Sequence, residues 1–200
     1  MKIPYVIDNQ TNRLADVLNG LLAEHAGRSV DVATAYFTVQ GYRLVKDGLD
    51  RLGTFRLLLG AEPHAGEDLG LHAEAKAVKT ALAGDLNREP FTEDTLLLIE
   101  DLIRYLRKDH VLVQLHDKGF LHAKCFLFYA DRPVQQGLFD RFRPVVAIVG
   151  SSNFTGPGLT SNRELNLAHK VLLDGDEIED PLAEKAVAWL SDQSASERIS

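Results

Sequence analysis

Two short stretches hold most of the residues that can do chemistry. The first is Phe120-Leu121-His122-Ala123-Lys124-Cys125-Phe126-Leu127-Phe128. It sets an imidazole and an ammonium two residues apart in an apolar and aromatic run. Such a run reads as a β-strand. Side chains alternate across a strand, so His122 and Lys124 are expected on one face, a nucleophile beside a fixed positive charge. The second stretch, Gly150-Ser151-Ser152-Asn153-Phe154-Thr155, follows the apolar run 144–149 and supplies small hydroxyls, an amide and compliant backbone. Together they describe a phosphate pocket with a nucleophile aimed into it.

The elements that must position these groups are legible in outline. Residues 12–26 carry a helical stripe of Leu14, Val17, Leu18, Leu21 and Leu22, ended by Gly27. Residues 30–38 read as a strand, 42–52 as a short helix and 55–59 as a buried strand, a βαβ pattern that points to parallel pairing. Residues 73–83 look helical. Thr92 can cap a further helix with Glu93 and Asp94 in its first turn, lined by Leu96, Ile99, Leu102, Ile103 and Leu106. Strands are expected at 111–115, around His122, at 145–150 and at 165–173, and a helix at 181–190. The polar stretch 130–143, with Pro133 and Gly137, reads as a protruding loop or hairpin. The tail 191–200 is polar and expected to fray.

Composition narrows the function class. The chain has 200 residues, 45% apolar and 26% charged, which suits one soluble domain with a sizeable core. No apolar run can span a bilayer, and the start lacks a secretory leader, so the cytoplasm is the default. A single cysteine, Cys125, excludes an internal disulfide and a cysteine-based zinc site. The net charge of −7 weighs against a broad nucleic-acid surface, though a groove is decided by local charge. Arg132, Arg141, Arg143 and Arg163 flank the second motif and suit either a solvated surface or a phosphate track.

His122, Lys124, Gly150, Ser151 and Asn153 resemble, position by position, the His-x-Lys and Gly-Ser-x-Asn signature of the phospholipase D superfamily. Asn162-Arg163-Glu164-Leu165 looks like the segment that carries a glutamate in that family. The chain as a whole is similar to the nuclease-like domain at the N-terminus of some bacterial helicases of the Swi/Snf type. That similarity runs from Ile3-Pro4 through Ala33-Thr34-Ala35-Tyr36-Phe37-Thr38 and Lys118 to Lys124, on to Glu164-Leu165-Asn166. The resemblance implies a single α/β domain over 1–190, with a mixed, mostly parallel sheet flanked by helices on both faces. Residues 191–200 would then lead toward a missing C-terminal region.

The resemblance also implies a metal-independent phosphodiesterase, foremost a DNA endonuclease, without a cofactor. His122 is the implied nucleophile, and Lys124, Ser151 and Asn153 the groups that hold the phosphate. Glu164 is the candidate for orienting the imidazole. The family sets two such motifs face to face, and this chain holds one, so the resemblance implies a homodimer with a shared site. A helicase domain on the full-length chain is a further implied partner. Two departures stand out: Tyr129 occupies the position where the family often has an aspartate, and the gap from Lys124 to Gly150 is long.

Each signal also has a plainer reading. A catalytically silent nucleic-acid-binding or dimerisation module of a helicase would keep the same residues. A lipid phosphodiesterase would need a membrane anchor that is not evident. Tyr36 and Phe37 suit base stacking or core packing. Gly156-Pro157-Gly158 reads as a turn, and Cys125 as buried and inert. His25, His64, His72, His110 and His169 read as surface or turn residues. His64, Asp68 and His72 have a spacing that suits a metal, but Pro63, Gly66 and Gly70 break the helix it needs.

Overall fold

The computed structural model describes residues 2–60, 92–116, 121–129 and 144–170. The expected helices at 73–83 and 181–190, the 130–143 stretch, the tail, and His64, Asp68 and His72 lie outside the described residues. In chain order the elements are β1 (Val6–Ile7), α1 (Leu14–Glu24), β2 (Ser29–Thr34), α2 (Val39–Leu49), β3 (Thr54–Gly60), α3 (Glu93–Leu106), β4 (Val111–His116), β5 (Cys125–Tyr129), β6 (Pro144–Gly150), α4 (Gly156–Thr160) and β7 (Asn166–Lys170). One seven-stranded sheet runs β1-β7-β6-β5-β2-β3-β4. The α/β class and the mixed sheet are as expected. Among the described residues, parallel pairing is confined to β2 with β3 and β3 with β4. The other four pairings are antiparallel, so parallel strands do not dominate.

The apolar pattern explains one face directly. Val30 and Val32, Phe55, Leu57 and Leu59, Phe126 and Phe128, and Val146 and Ile148 alternate inward and meet the stripes of α1, α2 and α3. Leu14, Val17, Leu18, Leu21 and Leu22 are all buried, as their spacing predicts. Gly27 follows with φ +76°, the left-handed conformation that glycine adopts without strain. A smaller cluster of Ala33, Leu58, Leu121, Cys125, Leu127, Tyr129 and Ala147 occupies the opposite face.

Several expectations are corrected. Strand β2 ends at Thr34 rather than 38, because Thr38 caps α2 by accepting from the Gly41 N–H. On α3 the buried face is Leu98, Leu102 and Tyr105, while Leu96 and Ile103 are exposed. Three consecutive leucines blur the helical period there, and the partner surface decides. Thr92 does cap that helix, accepting from the Thr95 N–H at 3.2 Å. His25 stands in the turn after α1, one of its two expected places, but is buried rather than superficial. Its Nδ1 lies 2.8 Å from the Leu21 carbonyl and its ring 5.2 Å from Phe128, and burial lowers its pKa. Gly156-Pro157-Gly158 opens α4 instead of a simple turn, with Thr155 accepting from the Gly158 N–H.

The strand directions place one rim at the centre of interest. Ala33 pairs with Cys125, Cys125 with Val149, and Gly150 with Asn166. The C-terminal ends of β2, β3, β4 and β6 therefore share an edge with the N-terminal ends of β5 and β7. Ligands of open α/β sheets are bound beyond such carboxyl ends.

Candidate active site

His122 and Lys124 lie on this rim, just before β5 rather than within it. The two side chains differ in environment. His122 is exposed and Lys124 is buried. The Lys124 ammonium donates to the His122 carbonyl at 2.9 Å, which ties its direction to the histidine backbone. Burial pulls the Lys124 pKa below the ordinary lysine value, and the charge of Glu164 opposes that pull. A cation with three N–H donors and this one hydrogen bond among the described residues keeps donor capacity for an anion.

The second motif closes on the first through the sheet. The Gly150 N–H donates to the Lys124 carbonyl at 3.2 Å, and the Ser151 N–H donates to the Leu165 carbonyl at 3.1 Å. A methyl group at Gly150 would collide with the Leu165 carbonyl and with Asn166, so only glycine permits this approach. The Ser151 hydroxyl donates to Glu164 and accepts from the Leu165 N–H at 3.0 Å. The hydrogen bonds of Glu164 go to Ser151 and to the Asn162 amide. Its charge acts on Lys124. The role expected from the sequence was to orient the imidazole; among the described residues the carboxylate holds Ser151 by a hydrogen bond and acts on Lys124 through its charge.

Asn153 shows the clearest directional design. Its Oδ1 accepts from the Tyr36 N–H at 3.3 Å, and the Thr34 hydroxyl lies 3.4 Å away. A backbone N–H can only donate, so the carbonyl oxygen must face Tyr36 and the NH₂ must face the other way. Among the described residues that NH₂ has no hydrogen-bond partner, and Asn153 is only half-buried.

Residues that sequence reasoning did not single out hold this loop in place. Thr34 is fully buried; it donates to the Tyr36 carbonyl at 2.9 Å and accepts from the Phe154 N–H at 3.0 Å. Ser152 and Asn166 are also buried and exchange two hydrogen bonds, at 3.2 and 2.8 Å. Phe154 bridges to Phe37 and packs edge-on against Phe37 and Phe126. Buried polar groups left unpaired cost about 1–3 kcal/mol each. The available signal was a hydroxyl at the end of an apolar strand, followed by another at the position between Ser151 and Asn153. Cys125 is buried as expected, its thiol pushed up to about 12 by desolvation, so it is no competing nucleophile.

Among the described residues no cluster of His, Cys, Asp and Glu suits a metal ion. Among them, too, no helix is long and apolar enough to cross a membrane.

The family described as cardiolipin synthase, PLD-like domain, matches residues 22–184. NucT from Helicobacter pylori aligns at 16% identity and TM-score 0.48, over 96% of this chain and 94% of that one. Nuc from Salmonella typhimurium, a phospholipase D family member, aligns at 13% identity and TM-score 0.49, over 92% and 88%. Polyphosphate kinase from Porphyromonas gingivalis aligns at 12% identity and TM-score 0.51, over 96% of this chain and 26% of that one, a likeness of fold. No curated protein sequence matches the chain.

Proposed function

We propose, because this chain belongs to the phospholipase D-like family matched over residues 22–184, that it is a metal-independent phosphodiesterase. Its substrate is nucleic acid, DNA before RNA, and it works as an endonuclease in a homodimer. The observation that carries the reading is a convergence on one rim. An exposed imidazole, a buried ammonium with donors to spare and an outward-facing carboxamide border the same edge of the sheet.

In this reading the neutral His122 ring attacks phosphorus and the P–O bond to the leaving strand breaks. His122 of the partner subunit gives its proton to the departing oxygen. Water then attacks the phosphohistidine, surrenders its proton to the partner's His122 and frees the first imidazole. Lys124 and the Asn153 NH₂ stabilise the non-bridging oxygens as charge builds. Ser151, held by Glu164, lines the phosphate site.

The dimer is supported by an apolar row beside the rim. Val149 pairs with Leu167, and Leu167 with Val6, across three adjacent strands. These three side chains are 48%, 42% and 40% exposed. Cross-strand neighbours face the same way, so they form one stripe. A second copy would cover it, and the single His-x-Lys is half of the expected pair. A helicase motor on the full-length chain remains part of the proposal on the sequence resemblance. The silent-module reading has one observation in its favour, Tyr129 where the family often has an aspartate.

Cleavage of single-stranded and plasmid DNA in EDTA, by wild type and His122→Ala, tests the chemistry. Wild-type cleavage is expected, with a loss of about 10⁴-fold or more in the variant. Equal cleavage by both removes the mechanism. Sedimentation of wild type and Leu167→Asp tests the assembly: a dimer is expected to become an inactive monomer. DNA retention without cleavage by a stable dimer would favour the silent module.

A further inference from the structure

We infer that Tyr36 is a stacking platform for the nucleobase beside the scissile phosphate, so that the site takes strands with unpaired bases; this rests on the phosphodiesterase reading above. Tyr36 breaks the burial pattern of its own segment. Thr34, Ala35 and Phe37 are buried, while Tyr36 is 42% exposed. Among the described residues its ring has no ring contact and its hydroxyl no hydrogen bond. Its backbone, by contrast, is pinned on both sides. The N–H donates to Asn153 Oδ1 at 3.3 Å and the carbonyl accepts from Thr34 at 2.9 Å. The residue that turns the Asn153 NH₂ outward therefore also carries the exposed ring.

The platform is close to the nucleophile along the backbone. A methyl group on Gly60 would sit 3.2 Å from Ala35 and 3.2 Å from the Leu121 carbonyl, so both segments border Gly60 at the end of β3. Tyr36 follows Ala35 and His122 follows Leu121. The residues that carry the ring, the imidazole and the carboxamide thus belong to the same rim, at the end of β2.

Charge argues for such a contact. With a net charge of −7 the chain has little long-range attraction for a polyanion. Stacking on an aromatic ring adds affinity without using charge, and every base offers a π-face. A base can reach the ring only when it is out of the duplex, which sets the preference for unpaired strands.

The test uses single-stranded oligonucleotides, intact or with one abasic position moved stepwise along the chain. Tyr36→Ala is expected to lower kcat/KM on the intact strand by about tenfold or more. Tyr36→Trp and Tyr36→Phe should stay near wild type. The penalty should shrink when the abasic position lies next to the cut. An equal penalty on intact and abasic strands, or none on either, overturns the proposal. So does a Tyr36→Ala protein that sediments as a monomer, since the ring would then belong to the subunit interface. Binding of the same strands in the His122→Ala background separates the two readings. There the intact-versus-abasic difference should persist with no cleavage, and its absence would sink the platform even in a protein that cuts DNA.

Discussion

The two ends of the paired strands β2 and β5 border two polar clusters that differ in what their charges face. The one away from the rim is closed. Asp31 on β2 pairs with Arg56 on β3, with Oδ1 2.6 Å from Nε and Oδ2 2.5 Å from Nη2. The Tyr129 hydroxyl donates to Asp31 Oδ2 at 2.7 Å. Burial and then the charge of Asp31 push that hydroxyl's pKa up, so it stays protonated as a donor. Both carboxylate oxygens are thus engaged within the protein. The cluster at the rim is open. Lys124 has one hydrogen bond among the described residues, to a backbone carbonyl, and the Asn153 NH₂ has none. The closed set holds three strands in register. Among the described residues the open set keeps donors without partners, which on the proposed reading an anion would satisfy, and that would separate a structural network from a reactive one.

Removing one cation from each cluster should separate the two sharply. Lys124→Met is expected to lower kcat by about 10²–10³-fold, the usual effect of removing a donor from a developing oxyanion. Its stability should be unchanged or higher, because burial already disfavours the charged lysine. Arg56→Met should do the reverse. It leaves a buried carboxylate without its bidentate partner, at a cost of about 3 kcal/mol in chemical denaturation. The fraction that still folds should keep wild-type turnover. A large stability loss from Lys124→Met, or a selective loss of turnover from Arg56→Met, would erase the distinction.

Tyr129→Phe is a smaller probe of the same contrast. It removes one hydrogen bond to a charged group, worth about 1.5–3 kcal/mol, and should leave kcat/KM unaltered. Tyr129 stands where the resembled family often carries an aspartate. A drop in kcat/KM would show that the closed cluster reaches the chemistry after all.

The two clusters also differ in how far the sequence discloses them. His122, Lys124, Ser151 and Asn153 are found because their spacing is short and their types are unusual in apolar runs. Asp31, Arg56 and Tyr129 meet only through strand register, Asp31 opposite Arg56 and Tyr129 two residues beyond Leu127, the neighbour of Asp31. Nothing local marks them. Helix α1 is legible because its stripe is clean against polar neighbours. Helix α3 is misread because Leu96, Leu97 and Leu98 give no contrast. Strand β2 is drawn too long because Ala35 and Phe37 continue the apolar pattern past Thr34, where the cap at Thr38 takes over. The partners of Glu164 are invisible for the same reason as Asp31. They depend on how the chain after α4 returns to β7 beside Ser151.

Glu164 offers the smallest effect and the finest test of the open cluster. Lys124 serves a phosphate only while protonated, so activity must fall as pH rises through its pKa. Burial lowers that pKa, which places the alkaline limb of kcat/KM below the ordinary lysine range. The negative charge of Glu164 raises it part of the way back. Glu164→Gln removes the charge while keeping an oxygen to accept from Ser151. The alkaline limb should then move to lower pH, with kcat near neutral pH little changed. If Glu164 instead oriented the imidazole, the substitution would lower kcat across the whole profile and leave the alkaline limb in place. A kcat/KM titration of both proteins from acid to alkaline pH therefore assigns the carboxylate to the lysine or to the histidine.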